Sequence, residues 1–206
     1  FPGGNDNRPL YYGMPTWADF FSPRQLISSA IFQEELHRVS SEITPEKDPQ
    51  TAEAICSYLA ISFDKCMDYN NLLSTWECTR QIIKHIFQRH DFSFKATFAE
   101  FDSSCNLLPW AIDQIVDAYL EMARLTYPTR SFLTSPTPDC RSNNVSITCG
   151  SASSLPSIAA DTIHNITVDP PYYDNVQYAE LSDFFYVWLK RSVGSLFPEF
   201  FTDELT

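Results

Sequence analysis

The chain has 206 residues, 44% of them apolar and 15% aromatic, which is long and hydrophobic enough to bury a real core and excludes a disordered or collagen-like chain. Its 26 acidic residues against 14 basic ones leave a net charge of -12. That balance excludes a broadly basic nucleic-acid wrapper, though not a local basic patch.

Residues 1–22, rich in Pro, Gly, Asn and aromatics, read as an irregular lead-in. Ser22 and Pro23 then stand as N-cap and first helical residue, and Leu26, Ile27, Ala30, Ile31, Leu36 and Val39 recur at helical spacing to about Ser40. Residues 41–50 read as a linker. A second helix is predicted over about 51–69, with Ala54, Ile55, Tyr58, Leu59 and Phe63 on one face, broken by Asn70 and Asn71. A third is predicted over about 75–90, where Ile82, Ile83, Ile86 and Phe87 oppose Arg80, Lys84 and Arg89. Those three cations are candidate contacts to DNA phosphates; the alternative is an ordinary solvated face. Alternation predicts a strand over 93–101, and a helix follows over about 109–125.

Residues 126–144, with Pro128, Pro136 and Pro138 among many Ser, Thr and Asn, mark the clearest boundary in the chain. Beyond it, 145–149 and 163–168 are short strand candidates, and a helix is predicted from about Tyr178 to Leu196. Strand, loop, strand, loop, helix is the pattern of an open α/β sheet. The predicted organisation is therefore a mostly helical region over 1–130, a linker over 131–144, and part of an α/β catalytic domain over 145–206.

The second of these strands runs into Asp169, Pro170, Pro171 and Tyr172. Two prolines have no N–H to donate and hold φ near one value, so they leave the sheet and stiffen the backbone between an acid and an aromatic ring. A loop at the carboxyl end of a strand is where open α/β sheets bind ligands. A rigid structural turn is the competing reading of the tetrapeptide alone.

The DPPY tetrapeptide resembles motif IV of S-adenosylmethionine-dependent amino-methyltransferases. The longer run TVDPPYYDNVQYAELSDFFYVWLKR at 167–191 is similar to the adenine-specific DNA methylases associated with a zinc ribbon. CGSASSLP at 149–156 resembles the loop of motif III in that family, and weaker echoes are YGMPTW at 12–17, FSPRQL at 21–26 and TFAE at 97–100. The resemblance covers about 145–201 well and the rest more loosely. It implies a partial Rossmann-like methyltransferase sheet and transfer of a methyl group from S-adenosylmethionine to the exocyclic amine of a base flipped out of duplex DNA. Adenine N6 is the implied acceptor, with cytosine N4 the rival. By position, Asp169 accepts a hydrogen bond from the amine, Pro170 supplies a carbonyl, Pro171 stiffens the loop and Tyr172 stacks on the base. Gly150 and Ser151, with Asp169, lie toward the cofactor. Tyr173, Asp174, Asn175 and Tyr178 are implied base or phosphate contacts, or else they cap an ordinary loop.

The chain also departs from that pattern. Its five glycines include no G-x-G pair and no P-loop, so the family's glycine-containing cofactor loop is missing. The zinc ribbon is missing too: six cysteines are irregularly spaced without a C-x-x-C, four histidines complete no ligand set, and no metal site is expected. The first residue is Phe1, and the chain reads as an internal fragment, inactive alone, of a larger methyltransferase. Free thiols and the lack of an 18-residue apolar run point to a cytoplasmic protein off the membrane. Partner subunits of a restriction–modification or defence system are implied by the family. The alternatives are a non-catalytic DNA-binding or interaction subunit derived from such an enzyme, and a methyltransferase acting on RNA or on a protein amide.

Overall fold

The computed structural model describes residues 7–88, 91–92, 94–126, 151–172 and 176–202. Its elements in chain order are α1 (Arg8–Tyr11), a 3-10 turn (Trp17–Phe20), α2 (Pro23–Glu46), α3 (Pro49–Tyr69), β1 (Thr75–Glu77), β2 (Ile82–Lys84), a wide turn (Ser103–Leu107), α4 (Leu108–Thr126), α5 (Tyr178–Val193) and a closing 3-10 turn (Pro198–Phe200). Helix α3 is the hub, packed against α2, α4 and α5.

The helix starts follow from local chemistry. At α2, Gln25 N–H donates to Ser22 Oγ at 3.4 Å, while Ser22 N–H donates to Gln25 Oε1 at 2.8 Å, a reciprocal capping box followed by Pro23. At α3, Asp48 accepts from Thr51 N–H at 3.0 Å, and Pro49 takes the first helical position. The linker expected over 41–50 is therefore mostly helix. α2 runs on through Pro45 to Glu46; Pro45 has no N–H to give the Ser41 carbonyl, and the helix ends at the next residue. Arg38, bridging to both Glu35 and Glu42, braces the preceding turns.

The core is aromatic. Phe20, Phe63, Phe92 and Phe184 are fully buried, with Trp17, Phe21, Met67, Leu73 and Ile86 around them. Phe184 of α5 lies edge-on to Trp17 at 5.8 Å and to Phe87 at 5.5 Å, and stacks on Phe21 at 6.2 Å. Helix α5 is thereby joined to the residues around the first 3-10 turn.

The helix expected over 75–90 is a hairpin instead. β1 and β2 pair antiparallel, with Trp76 opposite Ile83 and Glu77 opposite Ile82. Thr, Trp and Ile favour the pleated surface, and Gln81 takes a φ of 54° in the turn, which a helix would not accept. Residues 94–101, expected as a strand, are irregular, held by Ala99 N–H donating to Ser74 O at 2.8 Å.

The strand candidate at 145–149 and the linker at 131–144 lie outside the described residues. The candidate at 163–168 forms no strand, and Ile166 and Val168 are 77% and 75% exposed. Both side chains stand in solvent, and among the described residues no strand pairs with this segment. β1 and β2 are the one sheet described, and so short a hairpin neither supports nor opposes a Rossmann-like sheet.

Candidate functional site

Residues 151–172 form an exposed segment of turns and irregular backbone. Ser154 N–H donates to Ser151 O at 3.1 Å, Ile158 N–H to Leu155 O at 3.0 Å, and Thr162 Oγ1 to Ala159 O at 2.7 Å. These are local bonds only, so the segment lies on the surface rather than in the core. Its last residues are the acid, the two prolines and Tyr172.

Among the described residues, the loop is tied to α5 through Tyr172. Tyr172 N–H donates to the hydroxyl of Tyr178, the first residue of α5, at 3.1 Å. That bond satisfies the one backbone donor that follows the two prolines. Both rings remain about half exposed, at 53% and 47%. Asp169 offers carboxylate oxygens that only accept hydrogen bonds, and Pro170 offers a carbonyl. Acceptors beside an exposed ring are suited to hold a planar group carrying N–H donors. Further along α5, burial and then the neighbouring Glu180 push the Asp183 carboxyl above its usual range.

Ser151 is exposed on the same segment, and its hydroxyl pairs with Ser153 Oγ at 2.8 Å. Gly150, Tyr173, Asp174 and Asn175 lie outside the described residues. Because every described residue from 151 to 172 is exposed, the segment supplies hydrogen-bonding groups but no walls. These residues do not by themselves fit S-adenosylmethionine, whose adenosine and methionine ends both need enclosure.

Of the phosphate candidates, Arg80 and Lys84 are not brought together on a helix face. Arg80 is exposed in the hairpin turn, and Lys84 on β2 pairs with Glu77 at 2.8 Å, so its charge is already committed. Arg89 lies outside the described residues. The cause is the hairpin: it replaces the 100° step of a helix with alternation across a strand.

Two features escaped sequence reasoning. Asp64 is a buried carboxyl on α3, and a groove runs between α2 and α5. The groove has a sequence signal in hindsight: Ala30, Gln33, His37, Ser40, Ser41 and Thr44 recur at helical spacing along one side of α2. Among the described residues no three His, Cys, Asp or Glu side chains group as metal ligands, and no helix is long and apolar enough to cross a membrane. No protein-family model, curated protein or solved structure matches the chain.

Proposed function

We propose that this chain is the amine-activating part of an S-adenosylmethionine-dependent amino-methyltransferase that acts on duplex DNA, with adenine N6 as acceptor and cytosine N4 as the neighbouring possibility. The observation that carries this reading is the loop itself: an acid, two prolines and an aromatic ring, displayed in solvent and tied through Tyr172 N–H to the start of a core-anchored helix. An exocyclic amine is a poor nucleophile because its lone pair is delocalised into the ring. Acceptors at Asp169 and at the Pro170 carbonyl draw on its two N–H bonds and favour a tetrahedral nitrogen with a localised lone pair. Tyr172 gives the extrahelical base a face to stack on, worth roughly 1–3 kcal/mol. The proposed place of action is the cytoplasm, with other subunits of a modification or defence system as partners.

A second reading is favoured by the exposure of the described residues around Asp169, which among themselves enclose no cofactor. In it the chain belongs to a non-catalytic DNA-binding or interaction subunit. Product analysis separates the two. The full-length parent protein is incubated with labelled S-adenosylmethionine and mixed-sequence duplex DNA, and the digested nucleosides are identified by mass spectrometry. N6-methyladenine supports the proposed reaction, and N4-methylcytosine moves the acceptor within it. No methylated nucleoside, with donor binding measured, overturns it in favour of the second reading. Label in RNA or protein alone moves the substrate class.

A further inference from the structure

The groove between α2 and α5 has two chemically different halves that meet at His37 and Arg191. One half, of about 700 Å³, is walled by Leu26, Ala30, Val187 and Trp188, with Gln33 and Glu34 at its edge. The other, of about 550 Å³, is lined by Lys190, Arg191, Ser40 and Ser195, among others, and among the described residues by no carboxylate. Both volumes are in the range of small-molecule sites. His37 Nε2 lies 2.7 Å from the Arg191 carbonyl oxygen and so donates to it, while Ser192 Oγ, 2.9 Å from the Trp188 carbonyl, also lies 3.3 Å from Gln33 Oε1 and shares its one hydrogen between them. These bonds pin α2 to the last turns of α5 and hold the halves in register.

Among the described residues this half carries no carboxylate and has the exposed Arg191 at its rim, while the Lys190 ammonium lies over the Tyr186 ring, 5.6 Å from its centre. Cations in the last turn of a helix complement its dipole, which accounts for Lys190 and Arg191 being on α5. It does not account for Ser40, supplied from α2 across the groove. The Arg191 guanidinium is exposed and forms no ion pair among the described residues. In the other half, the exposed Glu34 carboxylate repels a phosphate and accepts N–H from an amino-bearing base. The groove therefore has a direction: base against the apolar wall beside Glu34, phosphate against Arg191 and Ser40.

We propose that this groove binds a nucleoside phosphate unit, base in the apolar half and phosphate in the cationic half. The unit comes either from a free nucleotide or from a nucleic-acid strand. The site shares no residue with the loop at Asp169, and binding here is read without any methyl transfer.

The test is calorimetric titration of the full chain with deoxyadenosine monophosphate, inorganic phosphate and a short single-stranded oligodeoxyadenylate. Arg191→Gln removes a charge-assisted phosphate contact and is expected to weaken the nucleotide at least about tenfold. Ser40→Ala weakens it less and leaves the charge untouched. Ala30→Phe fills the exposed apolar half and is expected to abolish nucleotide binding while sparing inorganic phosphate. Circular dichroism confirms that each variant is folded. An oligonucleotide that binds more tightly than the mononucleotide makes a strand the source; equal or weaker binding makes it the free nucleotide. No nucleotide binding overturns the proposal. So does nucleotide affinity unchanged in both Arg191→Gln and Ala30→Phe, or inorganic phosphate binding as tightly as the nucleotide.

Discussion

Asp64 sits on the buried side of α3 with its Oδ1 lacking a hydrogen-bond partner, beside Asp68, which itself faces His85 Nδ1 at 3.3 Å. Burial, and then the Asp68 charge, push the Asp64 carboxyl from 3.8 up to about 8. A raised acid pKa means the folded chain holds a proton that the unfolded chain has released. Stability is therefore expected to fall as pH rises through the window from 3.8 to about 8, with a slope of up to ~1.4 kcal/mol per pH unit from this group. Asp64→Asn should flatten that slope and stabilise the chain at the upper end of the window. Urea unfolding at a series of pH values checks it; a variant that keeps the wild-type slope contradicts it. Sequence reading could not find this residue, because an Asp between Phe63 and Lys65 on a helix looks solvated until the packing of α2, α4 and α5 around α3 is known. Asp169 stands out in the sequence for the opposite reason. Its signal is a local covalent pattern, an acid followed by two prolines and a tyrosine, that needs no tertiary contact to be read.

Helix starts were the most legible elements, because caps are built from neighbours in sequence. Ser22, Pro23 and Gln25 carry the whole signal for α2. Ser22→Ala removes the side-chain acceptor of that box and should cost about 1 kcal/mol, with Ser22→Gly milder. Chemical denaturation of the three proteins checks this, and an alanine variant as stable as the wild type contradicts it. The hairpin was not legible, because Ile82, Ile83, Ile86 and Phe87 satisfy helical spacing as well as they satisfy a short strand and the turn after it. Register was decided by partners that periodicity does not show: Trp76 across from Ile83, and Lys84 bridged to Glu77. With the hairpin in place of that helix, Arg80 and Lys84 do not share a helix face. The groove of α2 and α5 escaped for a related reason, since its polar stripe on α2 acquires meaning only from the helix opposite.

At the scale of the molecule, the aromatic core connects distant parts of the chain. Phe184 touches Trp17, Phe20, Phe21, Phe87 and Phe185, so α5 and the loop that precedes it are seated on the N-terminal half. Phe184→Ala leaves a cavity in that cluster and should cost roughly 3–5 kcal/mol, read as a lowered unfolding midpoint. A loss of only a few tenths would show that α5 is not part of the core. The sheet implied by strand, loop, strand, loop, helix was not legible as a structure here, because 145–149 lies outside the described residues and 163–168 has no partner strand among them. In the proposed reaction Asp169 activates an amine. Single-turnover methyl transfer to duplex DNA by the full-length parent carrying Asp169→Ala, beside the wild type, tests that role. The expected result is a rate lower by roughly 10²-fold or more, with DNA and donor binding retained. Transfer at the wild-type rate would contradict it.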